Sequence, residues 1–180
     1  MIHGGPLLEE IYLKPGELAV AERPALVSTV LGSCVAVTLF TPRLGVGAIC
    51  HAMLPEGRGE TSFKFVDTSL QHMLGCFDRL GVTRRELVAK LFGGADMFEL
   101  LQPSKARSVG RQNIETAIRL LRQAGLPIKA EDTGGRQGRK LLFYTHTGEV
   151  LLKRLGTNGV IAGLGEDGGP VRTGPPGGAE

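Results

Sequence analysis

Leu31-Gly32-Ser33-Cys34-Val35-Ala36-Val37-Thr38-Leu39-Phe40, the turn Thr41-Pro42-Arg43-Leu44-Gly45, and Val46-Gly47-Ala48-Ile49-Cys50-His51-Ala52-Met53-Leu54 decide the fold. The segments on either side of the turn are apolar, and the first is rich in β-branched residues, as a strand buried on both faces requires. Pro42 and Gly45 mark the turn, and Pro55 stops the second segment. The stretch therefore reads as a buried β-hairpin.

Working outward, Gly16–Ala21 and Ala25–Leu31 read as strands upstream, the latter ending at Gly32. Downstream, Leu70, Met73, Leu74, Phe77 and Leu80 fall at helical spacing, with Asp67 or Thr68 expected as the cap and Gly81 as the stop. Thr83 and Glu86 have capping-box spacing, but Leu87–Phe92 reads as a strand running into Gly93-Gly94. Ile114, Ala117, Ile118 and Leu121 mark a second amphipathic helix, closed by Gly125 and Pro127. Ile128–Ala130, Lys140–Thr145 and Glu149–Leu155 read as strands, the last two joined through Thr147-Gly148. Hairpins interrupted by two helices predict α/β layers with a mixed, largely antiparallel sheet. Residues 1–160 are expected to form one domain. Residues 161–180 are rich in Gly and Pro and too poor in apolar residues to offset their ordering entropy, so disorder is expected there.

Composition excludes several classes of function. The net charge is +3, with no run of five like charges, two Tyr and no Trp, so nucleic-acid binding has little support. No segment is long and apolar enough to insert in a bilayer, and Met1–Pro6 lacks the pattern of a secretory signal. Three cysteines, spread along the chain, do not suggest a disulfide framework and fit a reducing cytoplasm. There is no CxxC or His-rich cluster for a metal, and Gly93-Gly94 lacks the Gly-Lys-Ser/Thr of a phosphate loop. No cofactor is expected.

Chemistry concentrates at Gly32-Ser33-Cys34. A cysteine that opens a strand after a Gly-Ser turn sits at the sheet's end, beside free backbone N–H groups suited to an oxyanion. A thiol needs a base or cation to act as a nucleophile. His51, late in the paired strand, lies within possible reach on the same face. Free cysteines and single histidines are more often packing residues, and the Gly-Ser-Cys turn is what favours Cys34 with His51 as a dyad. Alternation sends Cys50 to the opposite face, toward a core. Cys76 reads as helix packing, and His72 and His146 as packed or partly exposed side chains. Ser28 and Thr29 are the nearest upstream hydroxyls, and at most one of them can face His51.

These residues resemble the chemoreceptor glutamine deamidase CheD family. The resemblance runs through Leu31–Val37, His51–Pro55, Phe65–Asp67, Lys90–Met97, Gly110–Asn113, Asp132–Gly135 and Gly138–Lys140, in consistent order over roughly residues 10–155. It implies Cys34 as nucleophile and His51 as its partner. The family's third residue, a threonine, falls at Ser28 by spacing from the cysteine, with Thr29 beside it as the alternative. It further implies a layered α/β fold like the catalytic domain of cytotoxic necrotizing factor toxins. Implied as well are a cytoplasmic location and action on glutamines, and on methyl-esterified glutamates, of methyl-accepting chemotaxis receptors. A CheC-type phosphatase is the implied partner. Two rival readings are a docking module with little catalysis and a cysteine protease or acyltransferase, which shares the thioester step.

Overall fold

In the computed structural model, residues 7–97 and 107–156 are described, together with the backbone of 171–173. The architecture is α/β in three layers: two five-stranded mixed sheets face each other, and two helices cover the outer face of one of them. The strands are β1 (Glu9–Tyr12), β2 (Leu18–Ala21), β3 (Ala25–Leu31), β4 (Val35–Thr41), β5 (Val46–Cys50), β6 (Val88–Gly93), β7 (Ile128–Thr133), β8 (Arg139–Tyr144), β9 (Val150–Arg154) and β10 (Val171–Thr173). One sheet has the order β1-β3-β8-β9-β10 and the other β2-β5-β4-β6-β7. The helices are α1 (Val66–Arg79) and α2 (Val109–Gln123). None of the described helices is long and apolar enough to cross a membrane.

The expected hairpin is present: β4 and β5 pair antiparallel around the Pro42 turn. Both strands are buried on both faces because each face meets a different layer. Val35, Val37, Leu39, Ala48, Cys50 and Ala52 form one core with Val66, Leu70, Met73 and Phe77 of α1 and Ala117 and Leu121 of α2. Ala36 and Ile49, on the other face, join Val27 and Leu31 of β3 and Leu141 and Phe143 of β8 between the sheets.

Four features depart from the sequence reading. The α/β layering with mixed, largely antiparallel pairing is as expected, but the strands divide between two sheets, because periodicity tells which face of a strand is apolar and not which strand lies across from it. Neither Asp67 nor Thr68 caps α1: the cap position is Phe65, without a side-chain hydrogen bond, and the Asp67 carboxylate accepts the Gly57 N–H at 3.0 Å. Thr83 and Glu86 do form a capping box, on a single 3₁₀ turn that leads into β6. Val171–Thr173, inside the segment expected to be disordered, pairs with β9, whose open edge offers backbone partners. The remainder of 161–180 lies outside the described residues.

The loops after β6 and β7 fix one end of this assembly. Gly134 N–H donates to the Gly93 carbonyl at 2.9 Å, and Asp96 N–H to the Gly135 carbonyl at 2.8 Å. Arg139, 3% exposed, holds this turn by donating to the Asp132 carboxylate and the Gly134 carbonyl, both at 2.7 Å. Burial alone would raise the Asp132 pKa, but the Arg139 and Arg154 guanidiniums outweigh it and hold the carboxyl below its usual range.

Gly93 has φ +102°, and a Cβ there would run into the Cys34 carbonyl oxygen. Gly81 also has positive φ, at +68°, but faces open space. Gly93→Ala should therefore cost at least ~2 kcal/mol, against ~1 kcal/mol for Gly81→Ala. Urea unfolding of the two variants side by side checks the difference; equal midpoints would contradict the packing described.

Candidate active site

Cys34 lies just before β4, at the point where the β4–β5 ladder ends. The last exchange is between Val35 and Ala52, which donate to each other's carbonyls at 2.9 Å in both directions. Continuing that register sets Ala36 opposite His51 and Cys34 opposite Met53. Cys34 and His51 thus lie diagonally on the face toward the other sheet. Cys34 is half-buried against the inter-sheet core, and His51 is 1% exposed. Cys50 faces the helices and is fully buried, as alternation predicts.

The imidazole is oriented from the opposite sheet. Thr29 Oγ1 lies 2.7 Å from His51 Nδ1 and 2.7 Å from the Leu13 carbonyl oxygen. A carbonyl can only accept, so the Thr29 hydroxyl donates to Leu13, and its oxygen is left to accept a proton from Nδ1. This assigns the tautomer with Nδ1 protonated and Nε2 bearing the lone pair. Nε2 is buried with no partner among the described residues. The His51 backbone is also held: its N–H donates to the Glu17 carbonyl at 2.9 Å, and its carbonyl accepts from Gly16 N–H at 2.8 Å.

Ser28, which spacing from Cys34 favours as the third residue, is not the one the structure brings to His51. In β3, Val27, Thr29 and Leu31 point between the sheets, while Leu26, Ser28 and Val30 lie on the outer face. Only Thr29 has its hydroxyl at the imidazole. The remaining candidates lie elsewhere: Cys76 Sγ accepts from Arg79 Nη2 at 3.0 Å, His72 rests on Phe63, and His146 meets Tyr144 edge-on.

Burial raises the Cys34 pKa, and only its own backbone N–H works the other way. Burial likewise lowers the His51 pKa below 6.5, opposed by the Leu13 backbone and by the negative Glu17. Both shifts favour a neutral thiol beside a neutral imidazole.

Two further contributors escaped sequence reasoning. Leu13, in the crossing between β1 and β2, supplies the acceptor that sets Thr29. Asn113 of α2 is fully buried, and its Nδ2 donates to the carbonyls of Ser33 and Met53, both at 3.0 Å. A signal for Asn113 was available: it stands at the same helical spacing as Ala117 and Leu121, a polar residue in an apolar stripe.

Residues 53–154 match the family model described as CheD chemotactic sensory transduction, a span that begins after Cys34 and His51. The chain is similar to a probable chemoreceptor glutamine deamidase CheD 2 of Geobacter sulfurreducens, 51% identical over 150 residues, covering 83% of this chain and 92% of that one. A probable chemoreceptor glutamine deamidase CheD of Maridesulfovibrio salexigens is 42% identical, covering 82% and 93% of the two chains. One of the same name from Thermococcus kodakarensis is 40% identical, covering 84% and 97%. Among solved structures, a Bacillus licheniformis hypothetical protein YfiH superposes with a TM-score of 0.44 at 15% identity, covering 63% of this chain and 49% of that one.

Limiting iodoacetamide should label Cys34 first, because it is partly accessible at the end of a strand, on the same face as His51. Cys50, whose pKa burial pushes up to about 11, should stay unlabelled until the chain unfolds. Peptide mapping after brief exposure reads the order, and early labelling of Cys50 would contradict the described faces of β5.

Proposed function

The chain belongs to the CheD family, and from that premise we propose that it hydrolyses the side-chain amide of glutamines on chemotaxis receptors, with Cys34 as nucleophile and His51 as general base and acid. The observation that carries this reading is the Thr29-held imidazole, whose free Nε2 faces the same side of the sheet as Cys34.

The Cys34 thiol passes its proton to Nε2 as the sulfur bonds to the amide carbon. Backbone N–H groups at the Ser33-Cys34 turn receive the charge that develops on the amide oxygen. The imidazolium then protonates the nitrogen, which leaves as ammonia, and a thioester remains. Nε2 next takes a proton from water, the hydroxide adds to the thioester carbon, and the sulfur departs and recovers its proton. One water is consumed, one ammonia is released, and glutamine becomes glutamate. The same thioester route would also hydrolyse a glutamate methyl ester, with methanol leaving in place of ammonia. Thr29 is a neutral hydroxyl, so it orients the ring without stabilising its cation as a carboxylate would.

On a receptor helix each turnover adds one negative charge, and repulsion between neighbouring carboxylates alters helix packing. Receptor cytoplasmic helices are therefore the expected substrate, and the cytoplasm the expected location. A CheC-type phosphatase is the expected protein partner.

Incubation with a receptor cytoplasmic fragment should add about 1 Da per modified glutamine and release ammonia without cleaving the chain. Cys34→Ala should abolish the mass gain. Thr29→Ala should lower turnover ~10–100-fold, Thr29→Ser should restore most of it, and Ser28→Ala should be close to wild type. Backbone cleavage in the fragment, or full activity in Cys34→Ala, would overturn this function. A large loss at Ser28 with none at Thr29 would overturn the orienting role.

The pH profile follows from the direction of the His51 shift. A lowered pKa keeps the imidazole neutral, and so able to accept a proton, below the ordinary value of 6.5. The acid limb of kcat/KM should therefore fall below pH 6.5. A rate profile on the receptor fragment with its acid limb above that value would contradict the buried, neutral imidazole.

A further inference from the structure

The nucleophile turn carries three successive carbonyls, and each is tied down. Ala95 N–H donates to Gly32 at 2.9 Å, Asn113 Nδ2 to Ser33 at 3.0 Å, and Gly94 N–H to Cys34 at 2.8 Å. The Ser33 and Cys34 N–H groups make no hydrogen bond to another described residue, and the Cys34 N–H belongs to the residue that carries the sulfur. In a planar trans peptide the C=O and N–H point in opposite directions. Holding the Ser33 carbonyl therefore aims the Cys34 N–H.

Two of the three tethers are backbone groups of the Gly93-Gly94-Ala95 loop. The third is a side chain delivered from α2, and it does a second task. Beyond Val35 and Ala52 the two strands part, and Asn113 bridges the fork by giving its second N–H to the Met53 carbonyl. Both donors of the amide are used, one on the Cys34 arm and one on the His51 arm. Its Oδ1 is buried with no partner among the described residues, so the two Nδ2 bonds are what the side chain contributes there.

We infer that Asn113 is a positioning residue that turns the Ser33–Cys34 peptide so that its N–H faces the sulfur and the amide oxygen of a bound glutamine. Its role in turnover rests on the deamidase reading given above; its role in orienting the peptide does not. Polarisation of the Ser33 carbonyl by Asn113 also strengthens the Cys34 N–H as a donor. The cost of losing it is a misdirected oxyanion donor rather than a missing base.

The test compares Asn113→Ala with Leu121→Ala, which loosens the same helix through a buried core leucine far along α2 from the turn. Two measurements are made well below the melting temperature of each variant. The first is the pH midpoint of Cys34 alkylation by iodoacetamide, which needs no receptor. Asn113→Ala should move it upward, because a thiolate that loses its N–H is less stable, while Leu121→Ala leaves it in place. The second is turnover on the receptor fragment. Asn113→Ala should lower kcat about tenfold or more with KM changed less than about twofold, the split expected when a transition-state interaction is lost. If Asn113→Ala does not fold, Asn113→Ser, which keeps one donor, takes its place with the same directions expected. An unmoved alkylation midpoint, an unchanged kcat in an active enzyme, or equal effects from Leu121→Ala would overturn the inference. Absence of deamidation by the unmodified protein would instead overturn the proposed function, leaving the alkylation midpoint to decide the role of Asn113.

Discussion

A single hydroxyl joins the two sheets at the point where chemistry is expected. Thr29 on one sheet donates to the Leu13 carbonyl and accepts from His51 on the other, so the orientation of the imidazole depends on how the sheets stack. Buried polar groups without partners cost on the order of 1–3 kcal/mol each, so this three-member chain also specifies the stacking. Sliding one sheet over the other would strand a carbonyl, a hydroxyl and a ring N–H in an apolar layer made by Val27, Leu31, Ala36, Ile49 and Phe143. The arrangement that satisfies them is the one that leaves Nε2 free.

The turn that carries Cys34 is held largely by backbone groups, with Asn113 as its side-chain tether. Gly93 and Gly94 allow a loop to approach the nucleophile turn closely enough to bind its carbonyls, and Gly110 lets α2 come up against that loop. The buried Asp132–Arg139 pair sets the neighbouring Gly134-Gly135 turn, which in turn holds Gly93 and Asp96. The glycine-rich stretches noted in the sequence are thus a frame in which a turn with unpaired N–H groups keeps its shape. A neutral thiol–imidazole pair fits this frame, because no charge has to be buried until the reacting carbonyl is present.

How much of this was legible in the sequence depended on the range of the interaction. The β4–β5 hairpin and the common face of Cys34 and His51 follow from residue type, a turn and strand alternation, all local, and Cys50 fell on the opposite face by the same rule. Alternation also limited the third position to one of Ser28 and Thr29, but it could not choose between them. That choice depends on which face of β3 meets the second sheet, and the structure puts Thr29 on that face. Spacing from Cys34 pointed to Ser28 because it counts residues and not faces. The strand β1 carries no apolar alternation in Glu9-Glu10-Ile11-Tyr12, so it left no local signal.

The long-range pairing of β3 with β8 bears on how the protein comes into being. Thr29 is held in a strand flanked by β1 and β8, and β8 leaves the ribosome more than a hundred residues after β3. Until residues 139–144 arrive, β3 has only one of its two neighbours, and the imidazole has no fixed orientation. Ordering distant segments costs loop entropy before any contact repays it, so this assembly step is slow relative to hairpin formation. A nascent chain that already exposes Cys34 and His51 therefore has the imidazole without the hydroxyl that orients it. Pairing of β8 with β3 completes the sheet that carries Thr29, so the orientation of His51 is set only when both sheets have formed.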